Sequence, residues 1–431
     1  QRFEASGLRP VAEASSLRHP FALNVWTASR APTLRLGDAS YVVGEGEGLD
    51  VVEFSGAGTV TGAPVVFVGH GLVVPDYDPG EYPSCPADPT TGYDDYAGID
   101  VDGAVVVILR GYPGDDVAWR DECPYGYISN TGRALWAAFA GARAVVFAPR
   151  FGGDWTGATA DHLRLGTSRL TIPAVQITRA ALQAAIPDAA AWQGEIDATR
   201  APSSHVLADL TADVDVQSAI AQRSPANVLG VIPGTDAALR DEVVVVGAHL
   251  DHMGEVPFRS RYYPGADDNA SGTAVLLELA RAAAASPTKP KRTILFAAWN
   301  AEELGLVGSS RYVEAPAYPL ADTVAAFSVD MVGDGAPGML VYGGTEFPEI
   351  AATMQAGAAA LGLPEAWPVY PIGPSGGSDH APFVEAGVPG VLFLTPQFED
   401  HDAYHTPGDT PEGVRRETLE AAAKLVWATV R

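Results

Sequence analysis

The spacing of apolar positions changes character along the chain, and the changes divide it into segments. Residues 2–8 read as the last turn of a helix stopped at Gly7. Residues 21–26 then alternate as a half-buried strand does. From Val60 the texture turns β-rich, with short apolar runs at 65–69 and 104–109 around a loop rich in Gly, Pro and Asp. A helix over about 131–141, a strand over 144–147 and an extended run at 172–177 follow, and the Ala-, Pro- and Ser-rich residues 183–206 predict a helix plus linker. Beyond about 207 the pattern becomes strand, loop, helix. Strands are predicted at 243–248, 293–299, 324–330 and 390–394, several of them continuous apolar runs suited to strands covered on both faces. Helices are predicted at 272–285, 348–361 and 411–430, the last with Thr410 as N-cap and Pro411 in the first helical position. This alternation predicts an α/β fold with a mostly parallel twisted sheet sandwiched by helices.

Composition narrows the classes. Hydrophobic residues make up 47% of the 431-residue chain and charged residues 19%, enough apolar material for packed cores in two or three domains. The most apolar stretch, 134–149, is broken by Gly141 and Arg143, so no membrane span is expected. Acidic residues outnumber basic ones 53 to 27, a formal charge of −26, which argues against a nucleic-acid partner. Cys85 and Cys123 lie apart from every histidine cluster and form no CxxC, which excludes thiolate metal ligation. They would pair in an exported protein and stay free in a cytosolic one. The chain begins at Gln1, and the expectation is a mature secreted, periplasmic or cell-envelope form whose leader has been removed.

The candidate chemistry gathers where predicted strands end. The first of the four runs into His249 and Asp251, which share a face by the period of two. Asp267 and Asp268 stand just before the helix at 272. The strand at 293–299 leads to Glu302 and Glu303, the strand at 324–330 ends on Asp330, and Tyr404 and His405 come near the C-terminus. Open α/β sheets place their sites beyond the carboxyl ends of their strands. Histidines and carboxylates without cysteine suit zinc first, manganese or cobalt next. One catalytic zinc needs three protein ligands, so this surplus predicts two ions sharing a carboxylate. A single Asp-Asp or Glu-Glu pair is ordinarily a loop or a solvated helix start; here acids and histidines recur at successive strand ends.

The motifs HLD at 249–251, GADDNASG at 265–272, WNAEELGLVGS at 299–309, SVDMVG at 328–333, SDHAPF at 378–383 and YHTPGDT at 404–410 resemble, in this order, the M28 family of zinc aminopeptidases. Residues 56–200, with GHGL, YDDYAGIDVDGAVVVILRG and IPAVQI, resemble a protease-associated (PA) domain. The resemblance implies a zinc-exopeptidase-like fold: 1–55 as the N-terminal part of the peptidase domain, 56–200 as an inserted β-rich PA domain, and 201–431 as the rest. It implies two zinc ions, with His249 on one, Asp267 bridging both, Glu303 and Asp330 each on one, and His405 completing the set. Glu302 would be the general base, Asp251 would hold His249 by a hydrogen bond, and Tyr404 would donate to the oxyanion. A cis peptide is expected at Asp267–Asp268, and export would join Cys85 to Cys123.

Other residues carry less. His252 is expected as a pocket wall, His401 as the competitor of His405, and Ser378-Asp379-His380 as a pocket loop, since no GxSxG elbow surrounds Ser378. His19, His70, His162 and His205 are expected to be structural. The implied activity is hydrolysis of the N-terminal peptide bond of peptides. The alternatives are a carboxypeptidase or dipeptidase of the same fold, a glutaminyl cyclase-like acyltransferase with one zinc, and an inactive receptor-like module. Side-chain preference and oligomeric state are not written in the sequence.

Overall fold

Four successive valines, Val243 to Val246, open a strand whose seven residues are all buried, as β-branched runs covered on both faces should be. It lies inside an eight-stranded sheet in the computed structural model of the chain, which describes all residues except 12–13, 45–47, 53, 77–83, 117, 120–122, 124–127, 153–163, 166–169, 256–257, 259–260, 364–366, 397–402 and 431. In chain order the strands are β1 (Arg18–Pro20), β2 (Ala226–Ile232), β3 (Val243–His249), β4 (Thr293–Trp299), β5 (Thr323–Val329), β6 (Met339–Tyr342), β7 (Val369–Ile372) and β8 (Gly390–Leu394). Their order across the sheet is β1-β2-β4-β3-β5-β8-β6-β7.

The centre, β4-β3-β5-β8, is parallel. With β6–β7 also parallel, four of the seven pairings are parallel, as expected; the sheet is nonetheless mixed, because β2 runs antiparallel to β4, β1 to β2 and β6 to β8. Helix α1 (Gly272–Ala285) buries Val275, Leu276, Leu279, Ala280 and Ala283, the one-sided stripe of a helix lying on a sheet. With α3 (Pro348–Ala360) and α4 (Arg416–Val430) it contributes to one core cluster together with Val244, Val246, Phe296 and Phe393. The opposite face packs Val243, Val245, Leu295, Trp299, Tyr312 and Phe383, with Tyr312 supplied by α2 (Val307–Glu314). Helix α4 begins at Arg416, five residues later than Pro411. The intervening chain is held elsewhere: Arg415 N–H donates to Gly333 O at 2.8 Å and the Arg415 guanidinium pairs with Asp334 at 2.7 Å.

The chain divides into two compact units. One comprises Gln1–Leu23, Gln222–Glu255 and Arg261–Arg431, the other Asn24–Ala221 and Val256–Ser260. The expected boundaries at 55 and 200 therefore move outward. The reason is strand pairing: Thr33–Leu36 and Gly58–Phe67 flank His205–Val216 in a second eight-stranded sheet, and Leu49–Val51 pairs with Ala174–Ile177. This unit has its own core around Val66, Val106, Ile108, Val145 and Phe147. A satellite cluster holds Leu72, Tyr93, Trp119 and the disulfide Cys85–Cys123, whose Cα atoms are 4.8 Å apart. Among the described residues no helix is long and apolar enough to cross a membrane.

Candidate metal centre

Because β3, β4 and β5 are parallel neighbours, their carboxyl ends reach the same rim. His249 is the last residue of β3, the loop after Trp299 carries Glu302 and Glu303, and Asp330 follows β5 directly. A cavity of about 430 Å³ opens there, lined by His249, Asp268, Glu302, Glu303, Asp330, Tyr404 and His405, with Met331, Tyr342, Leu392 and Leu394 as an apolar wall.

His249 Nε2 lies 3.2 Å from Asp268 Oδ1 and 3.2 Å from Asp330 Oδ1. On the other side, His405 Nε2 lies 3.0 Å from Asp268 Oδ2 and 3.4 Å from Glu303 Oε2. Asp268 thus offers one oxygen to each group. His249, Asp268 and Asp330 bring donor atoms close enough to hold one ion, and His252, Asp268 and Glu303 form a second such group, with His405 also within 3.4 Å of Asp268 and Glu303. Imidazoles and three carboxylates, one of them shared, fit zinc by donor type and arrangement.

The shared acid is Asp268, where the family resemblance implied Asp267. The Asp267 carboxylate turns toward the next loop and accepts from Gly333 N–H at 2.6 Å and Asp334 N–H at 3.2 Å. Consecutive side chains in this irregular segment face different ways, so only one of the two reaches the cavity. The cis peptide is correspondingly Asp268–Asn269 instead of Asp267–Asp268. Asp409 fixes the orientation by accepting from Asp267 N–H at 2.7 Å and Asp268 N–H at 3.0 Å. Asn269 ties the same loop to the end of β5, donating to Val329 O at 3.0 Å and accepting from Gly272 N–H at 2.9 Å.

Asp251 also serves differently from expectation. Its backbone carbonyl faces His249 Nδ1 at 2.9 Å, which directs Nε2 into the cavity. The carboxylate instead accepts from the backbone amides of Glu302 and Glu303, at 3.2 and 3.4 Å. His252, expected on the pocket wall, stands beside Glu303 with Nδ1 2.6 Å from Oε1. Ser378 donates to Asp330 Oδ2 at 2.8 Å and Ser309 donates to Asp379 at 2.5 Å, so Ser378 and Asp379 brace the rim. Sequence reasoning missed Asp409, Ser378 and Asn269 as holders; only their place inside the quoted motifs hinted at them. His401 and His162 fall outside the described residues.

The charges are coupled through burial. Desolvation disfavours the His249 imidazolium, but the carboxylates of Asp330, Asp268 and Glu302 outweigh it and raise its pKa well above the usual value. Burial opposes ionisation of Asp268, yet its hydrogen bonds to His249 and His405 hold it below the ordinary carboxylate range. Burial pushes the Glu302 carboxyl well above its usual value; His249 opposes this and the charges of Asp379, Asp330 and Glu303 add to it. Burial first, then Asp268 and Glu303, raises the Tyr404 hydroxyl, so it keeps its proton and remains a donor. Its ring stacks on His405 at 3.8 Å.

The family model described as peptidase family M28 matches residues 227–430. Aminopeptidase YwaD of Bacillus subtilis (strain 168) is 36% identical over 197 residues, 44% of this chain and 40% of that protein. Leupeptin-inactivating enzyme 1 of Streptomyces exfoliatus is 37% identical over 169 residues, 39% of this chain and 35% of its own length. The chain thus spans 40% or less of these two curated relatives. Among solved structures, an aminopeptidase from Aneurinibacillus sp. strain AM-1 matches with a TM-score of 0.67 at 26% identity, covering 100% of this chain and 85% of that one. BSAP, a zinc aminopeptidase from Bacillus subtilis, matches in fold with a TM-score of 0.61 at 24% identity, covering 100% of this chain and 86% of that one.

Proposed function

From the membership of this chain in peptidase family M28 through residues 227–430, we propose that it is a zinc aminopeptidase whose site holds two ions. The observation that carries the reading is the convergence of His249, Asp268, Glu302, Glu303, Asp330 and His405 on one cavity. His249, Asp268 and Asp330 would hold one zinc, and Asp268, Glu303 and His405 the other. When bound, the ions would polarise the scissile carbonyl and receive the substrate's free amine.

Glu302 lines the cavity and, although it also stands within a candidate ion-holding group with His249 and Glu303, is assigned to proton transfer. It takes a proton from the attacking water and passes it to the leaving amine as the carbon–nitrogen bond breaks. Its burial favours the neutral form, which suits a carboxylate that must accept that proton. Tyr404 donates to the oxyanion of the tetrahedral intermediate. Met331, Leu392, Leu394 and Tyr342 leave apolar space for the first side chain.

A carboxypeptidase would need a cation for the substrate's terminal carboxylate, and the described residues lining the cavity include no Lys or Arg. That favours the aminopeptidase reading. The second unit is proposed to be PA-like, and the Cys85–Cys123 bond supports an oxidising compartment outside the cytoplasm. Matched peptides with free, N-acetylated and C-terminally amidated ends test the activity. Hydrolysis should require a free amine, tolerate the amide and stop on chelation; cleavage of the acetylated peptide at equal rate would overturn it.

A further inference from the structure

Asn227 lies wholly buried on β2, where its residue position pairs with His19 of β1 and directly precedes the Val228–Ala298 pair with β4. Its side chain reaches past the end of β4. Oδ1 accepts from Asn300 N–H at 3.1 Å, and Nδ2 donates to Gly308 O at 2.8 Å. One amide therefore fastens Asn300, just past β4, to Gly308, in the first turn of α2, and so holds both ends of the loop at 300–306 that carries Glu302 and Glu303.

The loop needs such fastening. Ala301 and Leu306 adopt φ of 61° and 56°, a region that L side chains rarely occupy, and Gly305 between them has φ of 97°. Backbone of this kind persists where its surroundings over-determine it. The Asp251 carboxylate holds the middle of the loop through the amides of Glu302 and Glu303. The ends close tightly on Asn227: a Cβ at Gly308 would stand 2.4 Å from Asn227 Oδ1 and 2.2 Å from Asn300 O.

We infer that Asn227 is a positioning residue, clamping both ends of the loop so that Glu302 and Glu303 face the cavity together. The role requires one donor and one acceptor on a short side chain, which only an amide supplies here. An aspartate keeps the shape but sets an oxygen against the Gly308 carbonyl in place of the donor. The catalytic part of this inference rests on the proposed aminopeptidase reading; the part concerning metal retention does not.

The test compares Asn227→Ala and Asn227→Asp with the parent, as full chains loaded with zinc. Zinc release to a chromogenic chelator, kcat and KM on an aminoacyl substrate, and thermal unfolding are measured. Both variants should release zinc at least about 10-fold faster, because outer partners of ligands typically contribute 10–100-fold to metal affinity. Both should lose about 10–100-fold in kcat with KM within about 3-fold, the signature of a displaced base. Release and kcat within about 2-fold of the parent, with only the unfolding temperature lowered, would overturn the inference. Should Asn227→Ala fail to fold, the near-isosteric Asn227→Asp carries the comparison. If the parent fails to cleave the substrate, the aminopeptidase reading falls, and zinc release still decides whether Asn227 clamps the site.

Discussion

Asp267 and Asp268 are adjacent in the chain, yet one carboxylate binds the backbone of Gly333 and Asp334 while the other stands between His249 and His405. Both are buried, and exchanging their roles would leave a carboxylate without its donors.

This division predicts opposite outcomes for two neutral substitutions. Asp268→Asn should lower zinc content after dialysis below half of the parent's and reduce activity by about 10³-fold or more, since it removes the oxygen pair shared by both groups. Asp267→Asn should retain zinc and lower stability by about 1–3 kcal/mol, the cost of poorly satisfied buried amides. Elemental analysis and denaturant unfolding separate the two; zinc loss confined to Asp267→Asn would reverse the assignment.

Tyr404 keeps its proton and lines the cavity, so its hydroxyl is a donor at the edge of the site where negative charge would develop. Tyr404→Phe should lower kcat by about 10²–10³-fold with little change in KM, as loss of an oxyanion donor does. Steady-state kinetics check this, and a change in KM alone would assign Tyr404 to substrate binding.

The second unit carries two buried groups whose pH effects oppose each other. His70 faces Leu109 O at 3.2 Å; burial first, then the charge of Arg133, lowers its pKa to about 3. The unfolded chain takes up that proton below about 6.5, so stability is lost as pH falls from about 6.5 toward 3. Asp95 accepts from Leu72 N–H at 2.9 Å and Tyr93 O–H at 3.1 Å, and burial raises its carboxyl to about 7. The folded form then carries the extra proton between about pH 4 and 7, so stability falls as pH rises across that window. The two slopes, each about 1.4 kcal/mol per pH unit, cancel near pH 5. His70→Leu should expose the Asp95 slope, making the unit less stable as pH rises, and Asp95→Asn should expose the His70 slope with the opposite sign. Hydrogen exchange in this unit at pH 4.5 and 6 measures both; parallel profiles for parent and variants would contradict the account.

Much of this was legible in the residues. The valine run at 243–246, the apolar strand at 293–299 and the acids that follow each strand needed no tertiary information, because central strands and site rims leave simple patterns. The choice between Asp267 and Asp268 was not legible, since it depends on Asp409 capturing both amides from 141 residues or more away. Thr410-Pro411 satisfied every local rule for a helix start and lost to the contacts of Arg415 with Gly333 and Asp334. The last two strands of the sheet, Met339–Tyr342 and the edge strand Val369–Ile372, are short, and Pro371 interrupts the second, so neither carries a strand signature. The domain boundaries slipped because strands at 33–36 and 205–216 find their partners in the second sheet, which spacing alone does not reveal.

In the proposed mechanism Glu302 moves the proton while its neighbour Glu303 holds metal. The most direct measurement is zinc content and turnover of Glu302→Gln, with Glu303→Gln alongside. Glu302→Gln should keep the parent's zinc content, expected to be two ions per chain, and lose about 10²–10⁴-fold in kcat, because the amide cannot accept the water's proton. Glu303→Gln should bind one ion less tightly and recover part of its activity in excess zinc. Loss of zinc from Glu302→Gln, with both ions retained in Glu303→Gln, would contradict the account.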